Sequence, residues 1–346
     1  MLAKRAREMA QEWTDKNAQQ IPGCLGVVLH GSINWMDDEE VLAASSDLDL
    51  LLVMEPGISL PHRQKFRYRR LMLELSPIPL SDLQPPDTVL RTHYLAGSFF
   101  GETVLWDASG YLQELQNIVT VHYPERRWVE QRCQSVTAKI RAGFPADPQW
   151  PLHRILTAWM FAAGLCSHVI LVAGLGNPTV RRRLAASQLL LQRLDRLDIQ
   201  EELLGLFHAG ELTPTQIAQH TKNLSRLFAE AIPLVHDGYP FAADITPSGR
   251  DIAITGTQEM VQQGLHRETV FWLGASLARC LQVVTEQGTL PQRQQGVALA
   301  NDFLSDLGVN TESALRQAHT SVLEALPRIE QHGQWIMDHH PGIFCQ

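Results

Sequence analysis

The sequence predicts an α+β chain, with a small mixed-sheet domain over residues 1–120 and a larger all-helical domain over residues 121–346. Two observations carry this prediction. Short apolar runs of strand length, separated by Gly and Pro, are confined to the first third. Beyond residue 120, apolar residues recur at helical spacing over long stretches and strand signals are rare. A length of 346 residues also suits two domains, at roughly 150 residues each.

Residues 1–20 have helical spacing, with Leu2, Met9, Ala10 and Trp13 near one face, and Pro22-Gly23 ends that helix. Cys24 to His30 (CLGVVLH) reads as a strand, and Gly31-Ser32 then opens a turn and a short helix. The connector 33–46 contains Asp37, Asp38, Glu39 and Glu40. Asp47 to Met54 (DLDLLLVM) is a second strand, closed by Pro56-Gly57. In 66–77 (FRYRRLMLELSP) the second half reads as a third strand; 89–107 holds a helix and then TVLWD as a further strand. Helices are expected over 125–142, 152–173, 180–197, 200–209, 214–231, 258–287, 290–307 and 311–331, with 236–256, rich in Gly, Pro and Asp, as the main loop.

A net charge of −8 and a pI near 5.9 argue against a mainly electrostatic nucleic-acid binder, whose face would be basic. They suit a cationic small substrate. Cys24, Cys133, Cys166, Cys280 and Cys345 include no CxxC pair and read as free thiols of a reducing, cytoplasmic compartment. The N-terminal MLAKRAREMAQEW has no apolar core of a signal peptide. Residues 155–175 are long and apolar enough to span a bilayer. They include Thr157, Ser167 and His168 and are the only such stretch, so a buried central helix is expected and no membrane partner.

The chemistry concentrates between residues 30 and 75. Side chains alternate along a strand, so Asp47 and Asp49 face one way and Leu48 and Leu50 the other. Two carboxylates held close repel each other, and a divalent cation removes that repulsion. Mg²⁺ takes hard oxygen ligands, with one or two carboxylates completed by substrate phosphates. Gly31 lets the backbone approach a phosphate, and Ser32 adds a hydroxyl and an N–H at the start of a helix. Glu74, flanked by apolar residues in LMLELS, is the candidate third acid, as metal ligand or as the base that deprotonates an attacking hydroxyl.

The pattern hGS…DhD…hEh, with h apolar, resembles the nucleotidyltransferase superfamily over residues 24–80. The small head with a helical C-terminal domain is similar to the aminoglycoside nucleotidyltransferases. The resemblance implies that Gly31 and Ser32 contact a nucleoside triphosphate, that Asp47 and Asp49 hold Mg²⁺, and that Asp47, Asp49 and Glu74 form the catalytic set. ATP, or another NTP, would donate AMP to a hydroxyl of a small acceptor, such as an aminoglycoside-like compound, bound by the helical domain, with the protein a monomer or homodimer. The interval from Ser32 to Asp47 is long for that family, and the helical half carries no recognisable acceptor signature. The alternatives are a nucleotide-binding regulator without turnover, and an enzyme that nucleotidylates protein or RNA.

Other candidates have plainer readings. Asp107 is an alternative third acid or a strand-terminal turn aspartate. Glu130 is a distant base or an exposed helix residue. Asp37 to Glu40 contact a cationic acceptor or form a solvated loop. Gly174-Leu175-Gly176-Asn177-Pro178 follows a helix and reads as its C-cap rather than a dinucleotide loop. Arg181, Arg182 and Arg183 face phosphates or form a solvated basic patch. His339-His340 has no metal-ligand partners in the sequence.

Overall fold

The apolar runs of the first third pair into one five-stranded mixed sheet. The computed structural model describes all residues except 44–45, 61–62, 144–148, 237, 240 and 346, so parts of the 33–46 connector and the 236–256 loop lie outside the described residues. Helix α1 (Ala3–Asn17) leads into β1 (Cys24–His30), β2 (Asp47–Met54), β3 (Gln64–Tyr68) and β4 (Leu71–Pro79). Short helices α2 (Pro86–Leu90) and α3 (His93–Ala96), β5 (Val104–Asp107) and α4 (Tyr111–His122) follow. The sheet order is β3-β4-β2-β1-β5. β2 and β4 run parallel, and the other neighbours are antiparallel.

Alternation sorts the sheet into two faces. Val27 and Leu29, Leu48, Leu50, Leu52 and Met54, and Leu71, Leu73 and Leu75 are buried in one core with Ala3, Ala6, Met9, Ala10 and Trp13 of α1. Leu2, expected on that helix face, is exposed at the helix start. The opposite face carries Gly26, Val28 and His30, then Asp47 and Asp49, then Glu74. Over one end of it lies α4: a Cβ at Gly26 would collide with the Leu112 side chain.

The sequence reading placed one strand in the second half of 66–77. The structure has a hairpin, β3 and β4, turning at Arg69, whose φ is 54°. The charged run QKFRY hid β3, because a strand whose outward residues are Lys and Arg lacks the apolar signal.

The chain forms two compact units, one of Met1–Ser135 with Met337–Gln346, the other of Val136–Ile336. Residue 120, the sequence-based boundary, lies inside α4, which packs on β5 and α2. The first half of α5 (Arg126–Ala142) also belongs to unit one: Arg132 donates to the Leu90 carbonyl at 3.1 Å and the Tyr123 carbonyl at 2.6 Å. The C-terminal segment joins through Arg126, whose N–H donates to the Phe344 carbonyl and whose guanidinium pairs with Asp338 at 2.7 Å.

The second unit is helical throughout its described secondary structure: α6 (Leu152–Ala173), α7 (Arg183–Arg193), α8 (Leu197–Gly205), α9 (Pro214–Ala231), α10 (Pro247–Gln262), α11 (Val270–Gln287), α12 (Leu290–Asp306) and most of α13 (Glu312–His339). α6 is its buried centre, packed on α11 and α7. It ends in a Schellman turn, with the Leu175 and Gly176 N–H groups donating to the Val172 and Leu171 carbonyls. Gly174 to Pro178 is therefore a helix cap. Two expectations fail here. The loop 236–256 contains the start of α10, and the single helix expected over 258–287 is broken by Gly264, whose φ is 79°.

Candidate metal centre

Sheet register lines up four polar residues across the strands. Lys65 of β3 pairs with Glu74 of β4, Glu74 with Asp49 of β2, and Asp49 with His30 of β1. Directly paired residues project from the same face. Asp47 joins them from two positions away on β2, and carboxylate oxygens of Asp47, Asp49 and Glu74 lie within 4.8 Å of one another. This donor set fits Mg²⁺ or Mn²⁺. It is all hard oxygen, the ligand type these ions prefer, and Asp47, Asp49 and Glu74 would be the residues to hold one.

Gly31 closes the row. Its φ of 77° belongs to the left-handed region. An added Cβ would overlap Oδ2 of Asp49, so glycine is required both for the turn and for the carboxylate beside it. Ser32 follows, half-buried, in a 3-10 turn spanning Gly31–Trp35. Asn34 pins that turn by donating to the Leu29 carbonyl at 2.9 Å and the Gly97 carbonyl at 3.3 Å. The helix expected after Ser32 is only this short turn, too short to present the field of a full helix.

The carboxylates carry the electrostatic strain of their neighbourhood. Burial raises the Asp49 carboxyl well above its usual range, and repulsion from Asp47 and Glu74 adds to it, with Lys65 and Arg63 opposing. Burial likewise raises Glu74, against the lowering pull of Lys65 and Arg63. Lys65 Nζ lies 2.7 Å from Asp47 Oδ2 and 2.9 Å from Glu74 Oε2, and Arg63 Nε lies 3.0 Å from Glu74 Oε1. Burial, with the Arg63 charge, pushes His30 down to about 4, so its imidazole is neutral near pH 7. Its Nδ1 shares a 2.6 Å hydrogen bond with the hydroxyl of the buried Ser98.

The structure thus brings Gly31, Asp47, Asp49 and Glu74 together, with Ser32 next in the turn. It adds Arg63, Lys65 and His30, which the sequence reading missed. His30 had a signal, since it precedes Gly31-Ser32 at the end of an apolar strand. Lys65 and Arg63 had none until β3 was placed beside β4.

Four of the remaining candidates have partners of their own. Asp107 accepts from the Ser109 N–H at 3.0 Å and the Gln113 N–H at 3.0 Å, and so caps the start of α4. Glu130 pairs with Arg126 at 2.9 Å. Asp38 pairs with Arg7 at 2.7 Å. Arg183, read as part of a solvated patch or a phosphate contact, is buried. Its guanidinium lies 3.7 Å from the Phe271 ring centroid, and its Nε donates to the Val180 carbonyl at 2.8 Å.

Compared with known proteins, the chain matches no protein-family model and no curated protein.

Proposed function

We propose that this chain transfers a nucleotidyl group, AMP from ATP or its equivalent from another NTP, to a hydroxyl of a small acceptor. Asp47 and Asp49 would hold the metal. The observation that carries the reading is the sheet row itself. Three carboxylates converge within 4.8 Å, and beside them lies a positive-φ glycine whose missing Cβ leaves room against Asp49. Keeping three acids together on a half-covered sheet face is costly unless a cation and its ligands repay it.

When bound, a divalent ion would neutralise charge developing on the α-phosphate and the departing pyrophosphate. The chain's own residues do the rest. Asp47 and Asp49 orient the ion from one strand. Glu74, made more basic by burial, accepts the proton of the attacking hydroxyl or serves as a third ligand. The Gly31-Ser32 turn offers backbone N–H and hydroxyl groups to phosphate oxygens. The acidic balance of the chain suits a cationic, aminoglycoside-like acceptor.

The test is a labelled-NTP assay against a panel of small hydroxylated compounds, with the added nucleotide read by mass spectrometry. Asp47→Asn is expected to lose at least about 100-fold in transfer with unchanged circular dichroism. Undiminished transfer in that variant would sink the reading.

A further inference from the structure

The proposed metal ligands already share a cation that belongs to the chain. Lys65 Nζ bridges Asp47 Oδ2 and Glu74 Oε2 at 2.7 and 2.9 Å, and its side chain is only 8% exposed. Arg63, by contrast, touches Glu74 from a side chain that is 55% exposed. The Lys65 ammonium is held in place by register: Lys65 pairs with Glu74 across the β3–β4 hairpin, while Asp47 projects from the far side of β4 on β2.

Two charge arguments follow. A divalent ion held by Asp47 and Asp49 would share Asp47 with this ammonium, and burial leaves the repulsion between the two cations poorly screened. Both cations cannot occupy the carboxylates at full strength. Lys65 and Arg63, the cations that pair with these carboxylates among the described residues, offset two charges of the set and leave no positive excess to attract a triphosphate. Adding a divalent ion turns the balance positive, which attracts one. An ammonium released from Asp47 is then a point-charge donor beside the incoming phosphates.

We propose that Lys65 is an internal competitor of the metal that orders assembly of the site: divalent-cation binding frees its ammonium from Asp47, and the freed ammonium then engages the nucleotide's phosphates. This rests on reading the carboxylate cluster as a metal and nucleotide site. It makes Lys65 a positioning residue with opposite effects on the two ligands. A mere structural ion pair has no such signature.

The experiment uses the full chain. Mn²⁺ binding without nucleotide is titrated by electron paramagnetic resonance for the native protein, Lys65→Met, Lys65→Gln and Asp47→Asn. Binding of a non-hydrolysable ATP analogue in saturating Mn²⁺ is then measured. Both Lys65 variants are expected to bind Mn²⁺ at least about tenfold more tightly and the analogue at least about tenfold more weakly. In the native protein, acylation of Lys65, followed by mass spectrometry of its peptide, should speed up with Mn²⁺ and slow again with the analogue. Unchanged or weaker Mn²⁺ binding in both Lys65 variants, with Asp47→Asn still losing the ion, overturns the role of Lys65 and leaves the metal site standing. Native Mn²⁺ affinity in Asp47→Asn overturns the metal site and the proposal together. If the Lys65 variants fail to fold, a native acylation rate indifferent to Mn²⁺ overturns the proposal.

Discussion

Asp49 shows why the site is expensive for the fold. Burial first, then repulsion from Asp47 and Glu74, raises its carboxyl well above the usual range. A raised acid pKa means that the folded state prefers the protonated form. Whatever stability that preference adds is present at low pH and is lost as pH rises through the folded pKa. Near neutrality the ionised form therefore costs stability. Asp49→Asn, which keeps the shape and removes the charge, is expected to raise the melting temperature. Each kcal/mol gained would appear as roughly 2–4 °C in scanning calorimetry, if the unit unfolds like a domain of 150–250 residues. The same variant should lose Mn²⁺ binding. A lower melting temperature would show instead that Lys65 and Arg63 depend on the Asp49 charge. Asp47 and Asp49 were legible from sequence because a period of two puts them on one face whatever the neighbours. Lys65 was not, because its meaning comes from Glu74, nine positions later and across a hairpin.

Among the elements, helix starts separate legible from hidden structure. α9 and α12 begin with Thr213-Pro214-Thr215-Gln216 and Thr289-Leu290-Pro291-Gln292, and both form full capping boxes. α10 begins with Thr246-Pro247-Ser248-Gly249, where Gly replaces the reciprocating Gln. Only half of the box remains, the Gly249 N–H donating to Thr246 Oγ1 at 3.0 Å. That missing Gln, with Gly and Pro nearby, makes the segment read as loop. Thr246→Ala is expected to cost about 1 kcal/mol, measured as a lower urea midpoint with an unchanged slope. An unchanged midpoint would mean that packing of α10 on α9 and α11, rather than the cap, holds its first turn. The β3–β4 hairpin makes the complementary case. β4 was legible from its alternating leucines, whereas β3 needed a partner to give its charged residues a face.

Across the whole molecule, acid sensitivity should report the buried histidines. Burial, with the charges of Arg63 and Arg316 respectively, pushes His30 and His319 down from 6.5 to about 4. Between those values the unfolded chain binds more protons than the folded one, so stability rises with pH and falls on acidification. From pH 6.5 to 5 each histidine withdraws on the order of 1–2 kcal/mol. His319→Gln should flatten the pH dependence of the unfolding free energy over that window, and an unaltered slope would exclude His319 as a contributor. The same scale bears on α6. Its composition suits a bilayer or a protein core equally, and in this fold it is packed against α11 and α7. Sequence alone determined the α+β class, the helical character of the C-terminal half, and the shared face of Asp47 and Asp49, because periodicity is a local property. Only the tertiary structure decided that Glu74 completes the carboxylate set, that Lys65, Arg63 and His30 surround it, and that the first unit extends to Ser135 and recovers the C-terminal segment. Those facts depend on strand register and on contacts between residues far apart in the chain, which no local pattern encodes.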